Sequence, residues 1–170
     1  RRLQRTTFHR ISPEDHNDIV DIVTKFNPHV LVHVGVWEPD ARAAPQRAAT
    51  LTDQAAVSVL GAAAECRALD SIIVRSGIEI YGRGPGSLTR PDEDAPLRPT
   101  SEWGRTVADV ERTAANVAQR IGVTVGAVRL ASVLGPHVPS PLGRLLRQPL
   151  VPFHATSDPP FAVIEHRDAA

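Results

Sequence analysis

Lysine, tyrosine and cysteine each occur once in this chain, at Lys25, Tyr81 and Cys66. One cysteine closes no disulfide framework and makes no thiolate metal site. It reads as a small buried apolar residue in a reducing compartment. Aromatic residues are scarce, at 4%. No charge sign is in excess: 19 basic groups face 19 acidic ones, which removes the electrostatic case for a nucleic acid or an anionic membrane as partner. No apolar run reaches the length of a membrane span and no signal peptide opens the chain, so the expectation is a soluble, cytoplasmic protein. The basic residues are nearly all arginine, as in proteins from GC-rich genomes, and single arginines are given little weight. What remains is a hydrophobic fraction of 42% in 170 residues, enough for the core of one domain or part of a larger one.

The patterning alternates. SPEDHNDIVDIVTKFNP (12–28) predicts a helix: Ser12 caps it, Pro13 suits its first position, and Ile19, Ile22, Val23 and Phe26 recur with helical spacing. HVLVHVG (29–35) is a nearly continuous apolar run of strand length, which predicts a strand buried on both faces. A small-residue helix (49–66), a second buried strand SIIVRSG (71–77), a helix over 103–122 closed by Gly122, and a third strand TVGAVRL (124–130) follow. TTFHRI (6–11) is a candidate short strand before them. This order implies an α/β domain with a parallel sheet, whose ligand site lies outside the carboxyl ends of the strands. Those ends are Gly35-Val36-Trp37, Ser76-Gly77 and Ala131-Ser132, and the stretches 36–47 and 77–101 form long loops there. After Leu130 the pattern turns irregular and proline-rich, with one short helix near 141–148.

Few motifs carry chemistry. GRGPGS (82–87) is glycine-rich but is followed by LTRPDEDAPLRPT rather than a helix, which argues against a phosphate-binding turn. His29, His33 and His166 have no metal-ligand spacing, and His33 reads as a hydrogen-bonded core histidine. PDEDAP (91–96) reads as a solvated loop. EHRDAA (165–170) brings Glu165, His166 and Asp168 together without a nucleophile.

The ordered set VLVHVGV, SIIVRSGIEIYG, DEDAPLRPTSEWGRT, VGAVRLASVLGP and FAVIEHRDAA resembles the extended short-chain dehydrogenase/reductase family, in particular its NAD-dependent epimerase/dehydratase, UDP-galactose 4-epimerase-like members. The resemblance runs from about residue 6 to 170. It implies a Rossmann-like, doubly wound parallel sheet over 1–135, lacking the first β-α-β unit with its G-x-x-G-x-x-G turn, and a small C-terminal substrate or cap region over 136–170. The start at RRLQRTTFHR, without Met, favours a fragment.

By the same resemblance, NAD or NADP would lie along Val34, Gly35, Val36, Ser76, Gly77 and Ala131, with Ser132 toward a nucleotide-sugar substrate. The family's catalytic Tyr-x-x-x-Lys pair falls on Trp103 and Val107, and its Ser/Thr falls on Gly77, or on Ser76 in a shifted register. An indole N–H is no acid or base near neutral pH, and valine carries neither charge nor donor. Counting reaches the same result without alignment, because Tyr81 and Lys25 lie far apart in the wrong order. The family's N-x-x-G-T helix start falls on Thr52 to Ala56 without its Asn or Gly, and its R-x-x-N-x-x-G-P segment survives as RLASVLGP.

Three readings follow. The first is a family member without the standard catalysis that binds NAD(P) or a nucleotide sugar, with Trp103 packed over the nicotinamide end. The second is an active epimerase or reductase using Glu79, Glu102, Asp109 or His137. The third is a non-catalytic scaffold subunit. The resemblance also implies a homodimer or heterodimer through the helices 49–66 and 103–122.

Overall fold

The structure, a computed structural model, describes residues 6–12, 14–35, 43–84, 86–136, 138, 140–150 and 162–169. Helix α1 (His16–Phe26), strand β1 (Val30–His33), helix α2 (Pro45–Ala63), strand β2 (Ser71–Gly77), helix α3 (Glu102–Ile121) and strand β3 (Thr124–Leu130) alternate as the sequence predicts. The three strands form one parallel sheet in the order β1-β2-β3. Backbone bonds knit their amino ends: the Asp70 N–H donates to the His29 carbonyl, and the Asp70 carbonyl accepts from the Thr124 N–H.

Several expectations are corrected. Residues 6–11 form no strand, since nothing among the described residues pairs with them. The stretch beyond Leu130 is less irregular than expected. Strand β4 (Ser132–Leu134) pairs in parallel with β5 (Val163–Glu165) as a second sheet, and helix α4 (Pro141–Leu146) lies between them in sequence. Strands of three residues are too short to show an alternation. Ser12 does not cap α1: Asp15 holds the N-cap position, and Ser12 Oγ accepts only from the Glu14 N–H at 3.4 Å. Pro13 lies outside the described residues. Helix α2 begins at Pro45 rather than residue 49, since proline suits a first turn whose N–H has no partner. Phe26 is 72% exposed despite its place in the apolar repeat. Helix α1 packs on α2 rather than on the sheet, so only Ile19 on it is fully buried.

The core lies on one side of the sheet. Ala56, Leu60 and Ala63 of α2 and Val110, Ala114 and Ala118 of α3 pack against Ile72 and Val74 of β2. The alanines let the helices approach each other and the strand closely. Full burial of Leu60, Ile72 and Val74 stabilises the fold by roughly 1.5–3 kcal/mol each. Cys66 closes this cluster as a buried thiol that donates to the Val23 and Ala62 carbonyls. Burial raises its pKa, with the Glu65 charge as the second cause, in keeping with an inert structural cysteine.

The other face of the sheet is uncovered among the described residues. Val30 is 50% exposed, Val32 56% and Val128 48%. The expectation that β1 is buried on both faces is therefore wrong. In the β1–β2 register Leu31 and His33 lie beside Ile72 and Val74 on the helix side, while Val30 and Val32 lie beside Ser71 and Ile73 on the bare side.

Arg129, near the end of β3, locks this frame together. Its Nε and one terminal nitrogen donate to the two oxygens of Glu111 on α3, at 3.1 and 2.9 Å. The other terminal nitrogen donates to the Tyr81 hydroxyl at 2.7 Å and to the Glu93 carbonyl at 2.8 Å. The Glu111 bond is the main reason the guanidinium pKa rises above its ordinary value. Only 22% of the Arg129 side chain and 10% of Glu111 are exposed, so removing either partner strands the other in the interior. Glu111→Ala is expected to destabilise the fold by about 3 kcal/mol and to lower Tm by on the order of 10 °C in calorimetry. Arg129→Lys, which keeps the charge but loses the fork, should recover only part of that loss.

His33 makes stability depend on pH. Burial depresses its imidazole pKa below the ordinary 6.5, so the folded chain resists protonation there while the unfolded chain does not. Its contribution is complete above pH 6.5 and is lost as pH falls from there through the depressed folded value. The Tm of the wild type should decline between pH 7.5 and 5, and the profile of His33→Leu should be flatter over that interval.

Candidate functional site

The carboxyl ends of the three strands and the start of α3 meet at one end of the sheet. Strand β2 passes directly into a 3-10 turn, Ile78–Tyr81. The chain then makes the long loop and returns at Thr100, whose hydroxyl accepts from the Arg83 N–H at 2.9 Å and donates to the Arg83 carbonyl at 3.1 Å. Ser101 caps α3 by accepting from the Gly104 N–H at 3.0 Å. The helix enters close to the turn: a Cβ at Gly104 would lie 2.6 Å from the Glu79 carbonyl oxygen, so the position excludes any side chain.

The first turns of α3 carry Trp103 and Val107. Val107 is buried with Ile80 and Tyr81, and the half-buried Trp103 packs against that cluster together with Ile78, Ala95 and Ala108. Both side chains belong to an apolar plug beneath the loop. Tyr81 is itself part of the plug, its hydroxyl held by Arg129 and its ring beneath the guanidinium, 5.3 Å from its carbon. No acid or base is presented at residues 103 and 107.

The remaining strand-end residues separate into two groups. Val34 is 65% exposed. Gly35, Ala131 and Ser132 are half-buried, and all four border the strand ends. Ser76 is fully buried and lies on the helix side of β2, so its hydroxyl does not reach that surface. His33 is buried on the same side, and its Nε2 has no partner among the described residues. Thr52 is buried on α2 and donates to the Ala48 carbonyl. Val36, Trp37 and His137 lie outside the described residues.

Sequence reasoning missed a feature at Gly77. The Glu79 carboxylate curls back over this glycine, and its Oε2 lies where a Cβ at residue 77 would collide with it. The Glu79 side chain is 24% exposed, and its other oxygen is 3.8 Å from a terminal nitrogen of Arg83. The site therefore has a carboxylate over the spot where the resemblance expects a small hydroxyl side chain. The signal was a glycine two residues before a glutamate at a strand end, which a reading of spacing alone does not register. Of the other acids considered, Asp109 is bound to Arg112 at 2.6 Å and Glu102 is exposed in the first turn of α3. Glu165 sits 2.5 Å from His166 Nδ1, on β5 of the second sheet. Among the described residues no group of His, Cys, Asp and Glu has the arrangement of a metal site, and no helix is long and apolar enough to cross a membrane.

Solved structures share this fold. UDP-glucose 4-epimerase from Thermus thermophilus, solved with NAD, superposes with a TM-score of 0.70 at 19% identity, over 84% of this chain and 47% of that one. UDP-glucose 4-epimerase from Thermotoga maritima, solved with UDP-glucose, gives 0.69 at 20% identity, over 82% and 47%. L-threonine dehydrogenase from Phytophthora infestans gives 0.65 at 23% identity, over 77% and 42%. The chain thus spans less than half the length of these structures. No curated protein matches the sequence. The family model for NAD dependent epimerases and dehydratases matches residues 1–151, which is most of the chain. With its parallel sheet, its strand-end site and this match, the chain belongs to the NAD-dependent epimerase/dehydratase family.

Proposed function

We propose that this chain is a divergent member of its family that binds NAD(P) or a nucleotide sugar at the strand ends without running the family's tyrosine–lysine chemistry. The observation that carries the reading is the apolar plug: Trp103 and Val107 pack against Ile80 and Tyr81 where a proton donor and its lysine are expected. NAD(P), when bound, supplies a hydride acceptor or donor. The fit of the site to such a ligand rests on its small residues, since Val34, Gly35 and Ala131 put no bulky side chain at the ends of β1 and β3. Ser132 is the polar group beside them on the substrate side. Ser76 contributes through backbone alone, its hydroxyl being turned inward. In this reading 1–135 is the cofactor-binding unit and 136–170 begins the substrate region. The protein is cytoplasmic, and a homodimer or heterodimer forms through the helices 49–66 and 103–122.

A second reading is favoured by Glu79. A partly exposed carboxylate over Gly77 is a proton acceptor at the end of the central strand, which leaves an active enzyme with a substituted acid–base group as the alternative.

One experiment separates the two. The full-length protein is assayed for NAD(H) binding by thermal shift and for conversion of UDP-glucose to UDP-galactose. The first reading expects a rise in Tm with cofactor or UDP-glucose and no epimerisation above buffer. The second expects turnover that falls at least about 100-fold in Glu79→Gln with cofactor binding retained. The absence of any shift with NAD(H), NADP(H) or UDP-glucose overturns both.

A further inference from the structure

His33 and Ser76 are the two buried polar side chains of the main sheet, 4% and 0% exposed, and neither His33 Nε2 nor Ser76 Oγ has a hydrogen-bond partner among the described residues. They belong to one place. His33 lies beside Val74 in the β1–β2 register, and Ser76 is the next residue of β2 on that same face. Below them Ile72 and Val74 meet the apolar core. Thr52, one helical turn before Ala56 on α2, is also fully buried, and its hydroxyl hydrogen is already given to the Ala48 carbonyl. The interior therefore changes character at the carboxyl ends of the strands, from an apolar tier to a polar one.

Buried polar atoms in folded proteins are almost always bonded, to protein or to ordered water. Strand spacing and rise put the His33 and Ser76 Cα atoms about 8 Å apart, so side chains projecting in parallel from them need a bridging atom between them. A ligand does not reach either atom from the surface, because both are sealed from solvent. A water molecule needs two to four polar partners, and this tier offers an imidazole nitrogen and a hydroxyl that both donates and accepts.

We propose that one internal water molecule, bridging His33 Nε2 and Ser76 Oγ, is a permanent part of this fold at the ends of β1 and β2. It ties together the two strands that border the strand-end site and satisfies the two side chains that no group among the described residues reaches. The neutral imidazole that burial enforces suits this role, since it leaves one ring nitrogen as acceptor and the other as donor.

The proposal is tested on the full chain by a crystal structure at about 1.5 Å resolution. Density for a water within hydrogen-bond distance of both His33 Nε2 and Ser76 Oγ is the expected result. A direct bond between the two side chains, or a region without density between them, overturns it. In solution, a nuclear Overhauser effect from a long-lived water to the His33 ring should appear in the wild type and vanish in Ser76→Ala. Its persistence in that variant, or its absence from the wild type, counts against the shared water.

Discussion

The bidentate bond between Arg129 and Glu111 is the constraint from which the site end of this molecule is built. It joins the end of strand β3 to the middle of α3, and through the same guanidinium it reaches the Tyr81 hydroxyl and the backbone of the loop at Glu93. Four chain segments that are distant in sequence are thereby held in one geometry. A planar fork with five donors does this where an ammonium would not, because each bond has its own fixed direction. The same contact makes the Tyr81 hydroxyl part of the scaffold.

On this frame sits a sheet with helices on one side. Helices α2 and α3 supply small residues toward β2 and toward each other, and α1 adds a further layer outside α2. The opposite face carries exposed valines from β1 and β3. Solved relatives share the fold over less than half of their own length. The described residues accordingly make a sheet with one covered and one bare side, and the strand-end site is bounded by the covered side.

Much of the fold was legible because periodicity reports local structure well. The apolar runs at 29–35 and 71–77 and the helical repeat ending at Gly122 mark elements that the chain forms. That this chain holds no Tyr-x-x-x-Lys segment was legible from counting alone. Other features were not, for physical reasons. Burial on one or both faces of β1 depends on what covers the sheet, and a run such as VLVH is compatible with either. Phe26 fits a helical repeat that tertiary packing leaves unused. Arg129 was hidden among many arginines, and only its neighbours in space distinguish it. The carboxylate over Gly77 is a matter of side-chain direction, which no spacing rule contains.

That last contact has a consequence for how this site changes over evolutionary time. Residues 77 and 79 are not independent, because a methyl or hydroxymethyl group at 77 takes the volume in which the Glu79 carboxylate rests. A hydroxyl side chain at 77 would turn the partly exposed Glu79 carboxylate away from the strand end. A step at 79 first opens a gap beside a bare backbone. The two positions touch, so the effects of changing them are not expected to add. What residue 77 admits thus decides where the acid at 79 points, and glycine gives that carboxylate a resting place over the end of the central strand.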